Sequence, residues 1–277
     1  MFVYDWFLDW IYGKVMEFIQ KFFSYLSGMG VEIFDLPWIQ AVIEFFRLFG
    51  WSMYVIALVV AVFDVAIAWQ NGQGGIKDAV LGAMKGFFAV NLFTIVPIEL
   101  YKIAVDVQNS LGNAMSGLYG GALSDLSTMS MKQLTAFSAE INPFNLFTII
   151  ALGYAVIKVF FANIKRGGIM LTNIAVGSLY IFGLTRGHQD GFTDWCKQVI
   201  ALCVTAFLQN SLLFAGLLTF GDHMLLGLGI MLAANEVPRI ADRFGLDTSS
   251  RVNIMSTYYA TQAAVRTTQA VMKAVSK

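Results

Sequence analysis

The chain has 277 residues, 57% of them hydrophobic and 13% charged, with a mean hydropathy of +0.67; a soluble domain is roughly 45–50% apolar and about 25% charged. Its 18 basic and 18 acidic residues cancel, which excludes an argument for nucleic acid from bulk charge and leaves orientation in a bilayer to the placement of Lys and Arg. The sequence holds no G-x-S-x-G elbow, H-E-x-x-H, Walker-type loop or C-x-x-C, so it is read as a non-enzyme without cofactor or metal. Cys196 and Cys203 lie seven apart on one predicted helix, about 10.5 Å from each other and out of bonding range. His188 and His223 fall in separate turns with no metal-ligand spacing.

Residues 1–30 form a first unit. FVYDWFLDWIYGKVMEFIQKFFSYLS carries Asp5, Asp9, Lys14, Glu17 and Lys21, too many charges for a span. Lys14, Glu17 and Lys21 share one helical face, with Phe7, Ile11, Phe18, Phe22 and Phe23 largely opposite. That pattern predicts an amphipathic helix lying in the membrane interface or packed on a partner subunit. Acids stand where a secretory signal would be basic, so insertion is expected to rely on internal segments.

Residues 38–105 hold two predicted spans, at about 44–69 and 86–105. Glu44 and Arg47 can pair on the approach to the first, and NGQGG at 71–75 ends it. The second is expected to be kinked or capped near Pro97, and the GxxxG spacing of Gly82 and Gly86 allows close approach of a second backbone. Residues 106–142 are rich in Gly, Ser and Asn and lack a span-length apolar run. They read as an extracytoplasmic loop with one or two short helices, net acidic through Asp106, Asp125, Lys132 and Glu140.

Residues 143–240 form the predicted membrane core, with spans at about 143–163, 168–185 and 197–220. Lys165-Arg166 marks one end of the uncharged run Gly167–Thr185, and the polar turn RGHQDGFTDW marks the other. The Trp195 indole that closes this turn is expected at the lipid headgroups. From Gln198 to Gly221 there are 24 residues without a charge, roughly 36 Å of helix against a hydrocarbon core of roughly 30 Å. Met224–Ala234 is short for a crossing and reads as a re-entrant or buried half-helix, broken by Pro238. Residues 241–277 form a basic helical tail with Arg251, Arg266, Lys273 and Lys277 and no acid after Asp247.

These units predict an all-α, polytopic membrane helix bundle of about five transmembrane helices, with the N-terminal amphipathic helix and the C-terminal helical tail. With Lys165-Arg166, the turn carrying Lys77 and the basic tail in the cytoplasm, the N-terminus is expected outside and the C-terminus inside the cytoplasmic (inner) membrane. Ionisable residues in or beside spans are Asp64, Glu99, Lys102, Lys158 and Glu236. Glu99 and Lys102 can neutralise each other at i,i+3, and Asp64 and Lys158 can snorkel. The cluster Gln209-Asn210-Ser211 sits mid-span, where it bonds a neighbouring helix or subunit or lines a wet cavity.

Several stretches carry a resemblance. Arg166 before GGIMLTNIAVGSLYIFGLT, the F-x-x-W of Phe192 to Trp195, and NEVPRIADRFGLDTSS at 235–250 resemble the TrbL-type proteins, the VirB-six class of type IV secretion systems. MFVYDWFLDWIYG and NGQGGIKDAVLGAMKGF are similar to versions carried by conjugative elements of Gram-positive bacteria. The chain departs from the usual pattern at GSLYIFG, where typical members have a fuller apolar run with Pro. The resemblance implies a non-enzymatic core membrane component of the conjugation machine that oligomerises, as a ring or platform, to form or scaffold a channel. Its implied partners are further copies of itself, other secretion subunits including the ATPase, the DNA–relaxase substrate in transit, and membrane lipid. The competing reading from composition is a small transporter or ion channel, although residues 38–105 and 143–220 show no internal similarity of the kind an inverted repeat leaves. A reporter that is active only outside the cytoplasm, inserted within 106–142, is expected to be active; a cytoplasmic readout would overturn the orientation.

Overall fold

The computed structural model describes residues 31–71, 76–117 and 143–243, together with nine positions between residues 6 and 21. A single 3-10 turn, Glu32–Asp35, leads into seven helices: α1 (Pro37–Gln70), α2 (Ile76–Leu92), α3 (Ile95–Gly117), α4 (Pro143–Thr185), α5 (Asp190–Asp222), α6 (Met224–Ala234) and α7 (Val237–Arg243). Three of these, α1, α4 and α5, are long and apolar enough to cross a membrane. The pairs α2–α3 and α6–α7 bend by 51° and 49°, and counting each as one broken span gives up to five. The expected all-helical bundle of membrane-spanning length is what forms.

Local chemistry sets most of the boundaries. Leu36 is extended and Pro37 follows it at the first helical position, where a fixed φ and a missing N–H cost nothing. The bend between α2 and α3 falls at Phe93-Thr94. Pro97 explains it: the ring lacks an N–H and clashes with the carbonyl four residues back, that of Phe93, so the ladder is interrupted there. Turn 186–189 joins α4 to α5, with Gly187 at φ 94° in the left-handed region that glycine enters freely.

Two expectations are corrected. The separate spans 143–163 and 168–185 are one unbroken helix of 43 residues, roughly 64 Å long, so Lys165-Arg166 is no turn and no cytoplasmic boundary. Gly167 and Gly168 each cost about 1 kcal/mol in a helix, which is small beside the packing that holds both flanks. Residues 106–117 are also not loop but the last three turns of α3. Tyr101, Val105, Gln108 and Gly112 line its buried face at helical spacing, which the polar composition hides. The remainder of the expected loop, 118–142, lies outside the described residues, as does the tail from 244 onward. Near the N-terminus the charged face forms: Lys14 and Lys21 pair with Glu17 at 3.0 and 2.8 Å, holding its carboxyl down to about 2.

Packing divides into two apolar clusters. One joins Leu152, Val156 and Val159 of α4 to Leu213 and Leu217 of α5 and Met231 of α6. The other joins Phe93 and Tyr101 to Ile174 and Ile181 of α4 and Val199 and Leu202 of α5. Burial covers 61% of the apolar window of α5 but only 17% of that of α1, so α5 is central and α1 peripheral.

At the end of the bundle near turn 186–189, α2 rests on the last turn of α4. A Cβ on Gly82 would lie 2.6 Å from the Thr185 carbonyl oxygen, and one on Gly86 would collide with the Thr185 hydroxyl. The GxxxG spacing therefore serves a contact within the chain. Arg186 reaches across to Asp64 of α1 at 2.9 Å. We expect Gly82→Ala and Gly86→Ala each to destabilise the protein by about 1–3 kcal/mol in thermal unfolding. Adding Thr185→Ala should recover part of the Gly86→Ala loss and none of the Gly82→Ala loss, because the latter meets backbone; equal recovery would refute this packing.

Candidate functional site

Between the two apolar clusters lies a polar layer. Along α4 the clusters occupy 152–159 and 170–181, with Asn163 and Arg166 between them. Along α5 they occupy 195–206 and 213–220, with Gln209 and Asn210 between them. A four-residue turn makes the two helices antiparallel, which brings the two polar pairs to one level. Gln209 and Asn210 are also the midpoint of the uncharged run 198–221, about 18 Å from either end. The layer thus sits at the middle of the apolar length of α5.

Arg166 is its centre. The residue is 4% exposed, and inserting an arginine at the centre of a membrane helix costs about 2.5–3.5 kcal/mol or more. One guanidinium nitrogen, Nη1, donates to Asn163 Oδ1 at 2.6 Å, and Nη2 donates to Gln209 Oε1. Asn163 Nδ2 donates to Asn210 Oδ1 at 2.8 Å, and Asn210 Nδ2 donates to Gln108 Oε1 of α3 at 2.7 Å. The direction of this chain follows from chemistry. A guanidinium can only donate, so each amide in turn must accept through oxygen and pass a donor onward. The chain ends on Gln108 Nε2, a buried donor without a partner among the described residues. No carboxylate bonds to any of these five groups among the described residues. Neutral amide dipoles, with their oxygens turned toward the cation, hold the positive charge. Such a set has no general base or nucleophile; it can hold charge, fix three helices and present donors.

The other expected site residues lie elsewhere. Trp195 is not at an open interface: it is 5% exposed, its indole N–H donates to the Asn173 carbonyl at 2.8 Å, and its ring lies against Gly177. Glu99 and Lys102 pair with each other at 3.5 Å on the exposed side of α3. Lys158 lies over the Tyr154 ring, 5.8 Å from its centroid. Glu236 pairs with Arg239 at 2.7 Å, and Pro238 stands half-buried in the first turn of α7. Gly82 and Gly86 support α2 on α4, as described above. Arg251, Arg266, Lys273 and Lys277 lie outside the described residues.

Sequence reasoning found Arg166, Gln209 and Asn210 but missed Asn163 and Gln108. Asn163 stands at i−3 from Arg166, a spacing that places both on one helical face and could have revealed it. Gln108 stands at i+7 from Tyr101, on the same face of α3.

Removing one acceptor from a buried cation should cost more than removing cation and acceptors together. Asn163→Leu is expected to lower stability by about 1.5–3 kcal/mol, the range for a hydrogen bond to a charged group. The triple variant Arg166→Met, Asn163→Leu, Gln209→Leu should be more stable than Asn163→Leu alone in thermal unfolding in detergent. The reverse order would show that the layer is not limited by its charge.

A family model described as conjugal transfer protein TrbL matches residues 1–276. No significant match was found among curated proteins or among solved structures. With the match running the length of the chain, over helices long and apolar enough to span a bilayer, the chain belongs to the TrbL family of conjugal transfer proteins.

Proposed function

We propose that the chain is an integral membrane subunit of a conjugative type IV secretion apparatus that assembles with copies of itself to form or scaffold the route taken by DNA and its relaxase. The quoted N-terminal and NGQGG segments support placing it among the versions carried by Gram-positive conjugative elements. Its basic tail faces DNA or the anionic leaflet of the membrane.

The observation that carries assembly is the length of α4. From Phe147 to Thr185 the helix runs 39 residues, or about 58 Å, with Lys158, Lys165 and Arg166 within it. Even at a tilt of 40°, the upper end of the usual range, about 44 Å of it lies along the bilayer normal, and hydrocarbon covers only about 30 Å. The rest needs protein against it. Phe147, Ile150, Tyr154, Ile157, Phe161 and Ile164 are all more than a third exposed. They follow each other at spacings of 3, 4, 3, 4 and 3, the repeat of a helix–helix seam. No charge interrupts the stripe, and Lys158 and Lys165 flank one side of it. A neighbouring copy presenting the same stripe is the occupant this pattern suits.

Topology follows the same helices. With 143–185 one crossing instead of two, and Met224–Arg243 taken as a broken span and no longer as the re-entrant segment expected, the five crossings α1, α2–α3, α4, α5 and α6–α7 keep the N-terminus outside and the tail inside. They put 118–142 outside and both Lys77 and Arg186 on the cytoplasmic side, in accord with the positive-inside rule.

A donor with an in-frame deletion of the gene is expected to lose conjugation, and the intact gene should restore it. Undiminished transfer would remove the proposed role. In the complemented strain, Ile157→Cys in a background with Cys196→Ser and Cys203→Ser should give an intermolecular disulfide under mild oxidation, and Lys158→Cys a weaker one. No crosslink at either position would remove the seam.

A further inference from the structure

We propose that the cleft between α2 and the start of α5 binds the acyl chain of an anionic phospholipid, with Lys85 at the headgroup. The 51° bend between α2 and α3 leaves a cavity of about 460 Å3, within the roughly 300–1,000 Å3 of ligand sites. Lys85, Phe88, Ala89 and Leu92 line one wall at i, i+3, i+4 and i+7 on α2. Gln189, Phe192, Thr193 and Cys196 line the facing wall with the same spacing at the start of α5. Each stripe begins polar and ends apolar. Their polar ends coincide, because Gly82 and Gly86 on either side of Lys85 rest on Thr185, four residues before Gln189. Phe93, Val96 and Trp195 close the apolar end.

Two features decide the occupant. Among the described residues, Lys85 is the one charged residue lining the cleft, and it forms no ion pair there. A lone cation at the mouth of an apolar slot complements an anionic head on an apolar tail. The stripe from Lys85 to Leu92 is about 10.5 Å long, some two-thirds of one leaflet's hydrocarbon depth. The mouth of the cleft lies at the bundle end that carries Arg186 and turn 186–189, where the long apolar runs of α4 and α5 both stop. That end is where headgroups meet the protein.

The test uses the full chain in phosphatidylcholine nanodiscs, doped with a phospholipid carrying a diazirine in one acyl chain and either a glycerol or a choline headgroup. Adducts are mapped by mass spectrometry after illumination. The phosphatidylglycerol probe should label residues 85–96 and 189–196 at least fivefold more than the phosphatidylcholine probe. Lys85→Glu, at a half-buried position, should erase that preference, and Thr193→Trp should block labelling by both probes. Equal labelling by the two probes, or a preference that survives Lys85→Glu, would reduce the cleft to ordinary lipid contact and overturn the proposal. Labelling of the exposed face of α1 without labelling of the cleft would mean that something else, such as a second copy, fills it. If α1 is unlabelled too, the membrane placement falls with the proposal.

Discussion

A single uncompensated cation at mid-depth governs this bundle. Arg166 is buried, and no carboxylate bonds to it or to its amide partners among the described residues. Its charge is held by Asn163 and Gln209 directly, and by Asn210 and Gln108 at one and two further removes. Each of these amides must sit on a particular helix face at a particular level, which fixes α3, α4 and α5 relative to one another. Apolar packing above and below the layer is non-directional and would tolerate many arrangements. The polar layer selects one.

α4 makes that layer possible by remaining whole. Had the chain turned at Lys165-Arg166, the guanidinium would have met headgroups and water and needed no partners. Continuity carries Arg166 inward, and the same continuity makes α4 longer than a bilayer's hydrocarbon core. The buried cation and the exposed apolar stripe are therefore two consequences of one helix.

The sequence made the membrane class legible through its uncharged runs, and α1 and α5 follow from them. The bend near Pro97 was also visible, because proline's missing N–H and its clash with the preceding turn are local. What escaped was what depends on tertiary contact. Lys165-Arg166 has the composition of a boundary, and only the partners on α5 reveal that one of the two points inward. Gln108 hides in a stretch whose Gly, Ser and Asn content suggests a loop, although its buried positions keep helical spacing. Asp64 and Arg186 are 122 residues apart, and no local pattern links them. Trp195 matches an interfacial aromatic by type and position, yet the bare backbone at Gly177 gives its ring a place inside.

The bonds between α4 and α5 also restrict how the molecule can move. Trp195 holds the Asn173 carbonyl near one end of their contact, and Asn210 holds Asn163 nearer the other. Sliding one helix along the other by a single turn would break both bonds together and strand the Arg166 charge, so the two are locked in register. Displacement then falls to the places where the helical ladder is already interrupted, Phe93-Thr94 and Asn235-Glu236.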